Sequence, residues 1–185
     1  NPVFAELGRR VGPTKYYEYL EIFGFTQRTG IDFTGEAYPI LQSKSNVGPV
    51  ELATISYGQG ISVSPIQLIT AISSIVNGGN LMKPRMVKEV VDDDGNVIFN
   101  NEPKLVRHTV SEQTSKEMRQ IMESVVSEGT AGGAYIPGYR VGGKTGTADK
   151  VEDGKYKDGA VYASFMGVAP IDDPQVAVLF IVDEP

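Results

Sequence analysis

Gly142-Gly143-Lys144-Thr145-Gly146-Thr147-Ala148 is the stretch on which the reading of this sequence turns. It sits inside a run, residues 139–148, that reads as a β-strand. Glycine weakens a strand interior and marks the close approach of another backbone or a ligand. Three glycines in five residues, 142 to 146, therefore ask for something lying directly against this strand. Strand alternation puts Thr145 and Thr147 on one face, two hydroxyls able to hold a carboxylate together. Lys144 adds a fixed positive charge. Alternation aims it at the opposite face, so it joins the hydroxyls only if its long stem curls around the strand edge.

Downstream, two further strands span residues 160–169 and 175–182, joined by a charged run at 149–158 and a turn at 170–174. The charged run reads most simply as a solvated loop between two strands; the alternative, from its position beside Lys144, is that it edges the cleft. Connections this short make the three strands antiparallel. Upstream, Ser111 and Glu112 open a helix with Met118, Ile121, Met122, Val125 and Val126 on one stripe and Gly129 as its stop, expected to lie on the sheet. Ser64-Pro65-Ile66-Gln67 combines an N-cap, a proline at the first helical position and a glutamine three residues after the cap. The helix it starts is apolar on almost every side, which predicts burial, and Gly78 and Gly79 end it. Asp94-Gly95 between two β-rich runs at 86–99 predicts a hairpin.

Residues 25–59 lose all periodicity and read as a long irregular segment beside a cleft. At the start, residues 1–11 form a helical turn or two. Thr14 then caps a short helix with Tyr16, Tyr19, Leu20 and Phe23 facing inward, stopped by Gly24. The fold class expected is α+β, an antiparallel sheet with packed helices.

Composition excludes several functions. A net charge of -6 with a pI near 4.9 opposes nucleic-acid binding, which needs clustered Lys and Arg to neutralise phosphates. With no cysteine and a single histidine, His108, neither a thiolate zinc site nor a histidine-rich metal site can form within the chain, and no cofactor is expected. His108 lies in a polar stretch with no neighbouring motif and reads as a solvated loop residue. Gly58-Gln59-Gly60 lacks the spacing of a dinucleotide fingerprint, and Tyr16, Tyr17 and Tyr19 read as packing residues. The longest apolar run, 176–182, is far short of the roughly 20 residues that cross a bilayer.

Several segments, taken in order, resemble one family. Gly129-Thr130-Ala131 and the strand from Tyr139 to Ala148 look like class B penicillin-binding proteins of the division and sporulation type, whose signatures include Lys-Thr-Gly beside Ser-x-x-Lys and Ser-x-Asn motifs. Tyr57-Gly58-Gln59-Gly60, Ser64-Pro65-Ile66-Gln67-Leu68 and Asn77-Gly78-Gly79 resemble the middle of the same domain. Asn1-Pro2-Val3-Phe4 looks like the last residue of the Ser-x-Asn motif and the three residues after it. Ser43-Lys44-Ser45-Asn46 has the wrong spacing for that motif. No serine in the chain has a lysine three positions on, so the nucleophile motif is absent. The resemblance thus identifies residues 1–185 as the C-terminal part of a transpeptidase domain, lacking the Ser-x-x-Lys segment and the closing helix. Both ends of the chain look cut.

The resemblance implies a serine-type D,D-transpeptidase of penicillin-binding and serine β-lactamase-like fold, cross-linking peptidoglycan through an acyl-enzyme. Its partners would be a stem peptide ending in D-Ala-D-Ala and β-lactam antibiotics that mimic that end. Asn1, Lys144 and Thr147 would be catalytic; Lys144, Thr145, Gly146 and Thr147 would bind substrate. The parent would be anchored at the extracytoplasmic face of the bacterial membrane, within a cell-wall synthesis complex. A β-lactam sensor or hydrolase of the same fold, or a non-catalytic interaction domain, are the alternatives. Alone, the chain is expected to be inactive.

Overall fold

The computed structural model describes every residue of the chain except 153. Its centre is a three-stranded antiparallel sheet of β7 (Gly142–Glu152), β8 (Lys155–Ala169) and β9 (Val176–Asp183), in the order β7-β8-β9. Helix α4 (Glu112–Ser127) lies on β7, and α3 (Pro65–Val76) packs against α4 and β9. Val76, Met122, Val168 and Ile171 form the buried core between them, with Ile72, Ile75 and Ala177 partly buried around it. The opposite side of the sheet carries Val176, Val178, Phe180 and Val182 along β9, all exposed among the described residues.

Both predicted caps are present. The Ser64 hydroxyl accepts from the Gln67 amide at 3.3 Å, while Gln67 Oε1 accepts from the Ser64 amide at 2.9 Å. The Ser111 hydroxyl accepts from the Thr114 amide at 3.1 Å. Gln67, buried in the first turn of α3, donates its other end to the carbonyls of Gly24 and Gln27 and so fastens the end of the first helix. The Gly78 amide, just past α3, donates to the buried Ser115 hydroxyl at 3.0 Å and locks α3 to α4. The hairpin at Asp94-Gly95 forms, pairing β4 (Glu89–Val91) with β5 (Val97–Asn100).

Several expectations need correction. Residues 25–59 are not irregular throughout, because α2 (Pro49–Ser56) lies in them, along with the two-residue strand β1 (Ile40–Leu41) that pairs with β2 (Ile61–Ser62). Gly48-Pro49 opens that helix rather than breaking the chain: proline occupies a first-turn position, where its missing N–H costs nothing, and Glu51 Oε2 accepts the Gly48 amide at 3.0 Å. The opening helix α1 (Pro2–Ile22) packs on α2 and is broken at Gly12, with φ 77° and ψ 159°, so Thr14 lies inside the second half rather than capping it. Tyr19 faces solvent at 43% exposure and Ile121 at 55%; the stripes that α1 and α4 bury are narrower than their apolar residues mark out.

His108 ends a strand, β6 (Leu105–His108), which pairs with β3 (Asn80–Met82); it is exposed, as expected, but not in a loop. The charged run at 149–158 is mostly strand. β7 and β8 continue past Asp149 through a register shift into a ribbon whose pairs include Val151 with Tyr156 and Glu152 with Lys155. The part of that run at residue 153 lies outside the described residues. Alternating charge favours neither loop nor strand on a two-sided solvated ribbon, and pairing with β8 decided it.

Candidate active site

Among the described residues β7 is an edge strand, so one side of its backbone between Gly142 and Ala148 is left without a sheet partner. The glycines explain themselves by what packs against the strand, Gly142 and Gly146 on one face and Gly143 on the other. A methyl group at Gly142 would lie 2.5 Å from Ile171 Cδ1 and one at Gly143 2.6 Å from the Met166 carbonyl oxygen and the Phe165 ring, whereas at Gly146 it would meet the Ser164 hydroxyl at 2.6 Å. They let β7 seat closely on β8 and on α4, which fixes the strand from behind while its outer edge stays open.

The stem of Lys144 does curl along the strand: its Nζ donates to the Thr145 carbonyl at 2.6 Å. The ammonium is thereby brought to the backbone of the residue whose hydroxyl alternation had placed on the other face. Thr145 is half-buried, and its Oγ1 lies 3.5 Å from that of Thr130, which lies just past the C-terminal end of α4. Thr147 is exposed on the same face, one two-residue step further. Lys144, Thr145 and Thr147 thus converge on one edge. Asn1 does not join them through any hydrogen bond among the described residues; it heads α1, where its carbonyl accepts from the Ala5 amide at 3.0 Å and its side chain caps nothing.

Two contacts escaped the sequence. Thr130 and Gln59 belong to segments that carried the resemblance, yet no periodicity ties either to β7. Gln59 Nε2 donates to Asp149 Oδ2 at 3.2 Å, joining the loop after α2 to the residue next to Ala148. Beside it, Lys150 turns away to Asp183 at 2.6 Å and Glu184 at 2.8 Å, and Lys157 also reaches Glu184 at 2.9 Å. Hydrogen bonds from those two lysines hold the Glu184 carboxyl down at about 2. A separate recess lined by Phe23, Gln67, Thr70, Leu81 and Arg107 shares no residue with β7.

Among the described residues no helix is long and apolar enough to cross a membrane, and no three His, Cys, Asp or Glu side chains are grouped to hold a metal ion.

A profile of the penicillin binding protein transpeptidase domain matches residues 1–185. Stage V sporulation protein D of Bacillus subtilis is 50% identical over the whole of this chain, which spans 29% of that protein. The probable peptidoglycan D,D-transpeptidase PenA of Neisseria meningitidis is 34% identical over 98% of the chain, again 29% of the relative. Among solved structures, penicillin binding protein 3 of Mycobacterium tuberculosis in complex with aztreonam superimposes with a TM-score of 0.90 at 32% identity, covering 98% of this chain and 42% of that one. The helices and antiparallel sheet described above are therefore those of a penicillin-binding transpeptidase domain, and the chain spans less than a third of each of the two curated relatives named above.

Proposed function

Since this chain belongs to the penicillin-binding protein transpeptidase family, we propose that it forms the substrate-binding wall of a peptidoglycan D,D-transpeptidase and is the C-terminal part of that enzyme's catalytic domain. The observation that carries this reading is the convergence of Lys144, Thr145 and Thr147 on the open edge of β7. A stem peptide ending in D-Ala-D-Ala lies along that edge. Its terminal carboxylate is received by the Thr145 and Thr147 hydroxyls beside the Lys144 ammonium, a charge-assisted arrangement.

The Thr147 amide faces the carbonyl oxygen of the scissile bond and stabilises the negative charge that grows there as the carbonyl becomes tetrahedral. The attacking serine, its lysine base and the second oxyanion donor come from a Ser-x-x-Lys segment, which these 185 residues do not contain. That serine oxygen bonds to the carbonyl carbon, its proton passes to the base, and the C–N bond to the last D-alanine breaks as the leaving amine takes up a proton. An amine of a second stem peptide then displaces the serine, forming the cross-link. Asn1 orients the substrate amide, and Gly146, between the two threonines, lies along the ligand as part of the binding strand. β-Lactams enter by presenting a carboxylate and a strained amide in the same relation. The full protein works at the outer face of the bacterial membrane, anchored by a segment outside these residues, within a wall-synthesis complex.

Replacing Lys144 by Met or Thr147 by Val in the full-length protein tests the reading. Losing a contact made to the transition state costs about 3 kcal/mol, a hundredfold or more in acylation rate, whereas an edge-strand change costs under about 1 kcal/mol of stability. Acylation by labelled penicillin should collapse while the melting temperature barely moves. Equal losses in both would make the strand structural only.

A further inference from the structure

We propose that Asp149 gives this site a charge preference, favouring ligands with a cationic group on the acyl side, and that Gln59 holds it there. The inference rests on reading β7 as the ligand-binding strand. β7 pairs with β8 without interruption from Gly142 to Asp149, so Thr145, Thr147 and Asp149 share one face. At about 3.4 Å per residue, Asp149 stands about 7 Å beyond Thr147 and about 17 Å beyond Lys144.

Neither Lys144 nor Asp149 has an ion-pair partner among the described residues. The neighbouring cations are spoken for: Lys150 is bound to Asp183 and Glu184, and Lys157 to Glu184 and Glu152. The partner Asp149 does have, Gln59, is uncharged and reaches it from 90 residues away in sequence. A neutral amide positions a carboxylate without cancelling its charge. The open edge is therefore positive at one end and negative at the other.

A ligand whose carboxylate sits at Lys144 and whose acyl carbonyl faces Thr147 runs onward toward Asp149. Whatever extends from its acyl group meets that carboxylate. A cation there is attracted and an anion repelled, by an amount that at such distances in a solvated groove comes to a factor of about three to ten in acylation efficiency.

Three β-lactams read this out in the full-length protein: ampicillin, with an ammonium on its acyl side chain; aztreonam, with a carboxylate there; and benzylpenicillin, uncharged there, as the reference. Relative to benzylpenicillin, Asp149→Asn should slow acylation by ampicillin and speed it by aztreonam, each about three- to tenfold, and both shifts should shrink in high salt. Asp149→Glu should preserve the native order, and Gln59→Leu should weaken the preference. Ratios that stay put in Asp149→Asn, or that move in the same direction for both drugs, overturn the proposal. If Gln59→Leu leaves the ratios untouched, its holding role is overturned. If none of the three acylates the unmodified protein, the transpeptidase reading fails and takes this one with it.

Discussion

Arg140 and Glu123 hold each other through two hydrogen bonds, Nε to Oε1 at 2.7 Å and Nη2 to Oε2 at 2.6 Å, and so fasten α4 to the approach to β7. The Arg140 carbonyl accepts from the Ile171 amide at 2.9 Å, and its guanidinium lies 3.6 Å from Asp172. One residue thus ties helix, edge strand and the turn after β8.

That pairing sets a pH dependence. The hydrogen bonds from Arg140 hold the Glu123 carboxyl below its ordinary 4.5. A carboxyl depressed in the folded state contributes stability that is fully present above the unfolded value and lost as pH falls through the folded one. Arg140→Met should lower the melting temperature by about 2–4 °C at neutral pH, and the gap to the unmodified chain should close once the pH drops well below 4.5. Thermal melts across that range check both.

The glycines of β7 should not be equivalent. Alanine at 143 drives a methyl into the Phe165 ring and the Met166 carbonyl, the latter held in place by backbone pairing, whereas alanine at 146 meets only the Ser164 hydroxyl, held by one long hydrogen bond of 3.4 Å to the Gly146 carbonyl. Gly143→Ala should cost about 1–3 kcal/mol and Gly146→Ala less than about 1. Denaturant unfolding would show the order.

Gln67 is 1% exposed, and its side chain serves the Ser64 amide and hydroxyl as acceptor and the Gly24 and Gln27 carbonyls as donor. Gln67→Leu removes the cap partner and strands two carbonyls, a loss of about 2–4 kcal/mol. Hydrogen exchange should localise the damage to the start of α3 and the end of α1.

The 185-residue chain by itself should form no covalent penicillin adduct, for no serine in it is followed three residues later by a lysine. Intact-mass measurement after incubation decides this; a stoichiometric adduct would place the nucleophile inside the chain.

Most of the fold was written locally. Ser64 and Ser111 announced their helices because a hydroxyl and an amide a few residues apart make a cap whatever surrounds them. Three strands with brief connections left only an antiparallel arrangement. The features that stayed hidden depend on distant partners. Helix α2 was masked by a Gly-Pro pair that reads equally as a turn, and the exposure of Tyr19 reflects which neighbour α1 meets. Of the site, the strand and its hydroxyls were legible from alternation. The path of the Lys144 stem was not, because alternation aims that side chain at the other face. Nor were the nearness of Thr130 and the reach of Gln59, since they join segments 15 and 90 residues apart that no local spacing connects.

The close seating of β7 also limits how this strand can change under selection. A drug lying along its outer edge exerts pressure on residues already packed closely against Ile171, Phe165 and Ser164. At 142 and 143 nearly any replacement collides with what lies behind before it alters what lies in front. Escape routes in sequence space are narrowed to positions with room around them, such as the exposed Asp149 and the loop that carries Gln59. Adaptation to an inhibitor would then proceed by adjusting the rim of the groove and its charge, leaving its glycine floor unaltered.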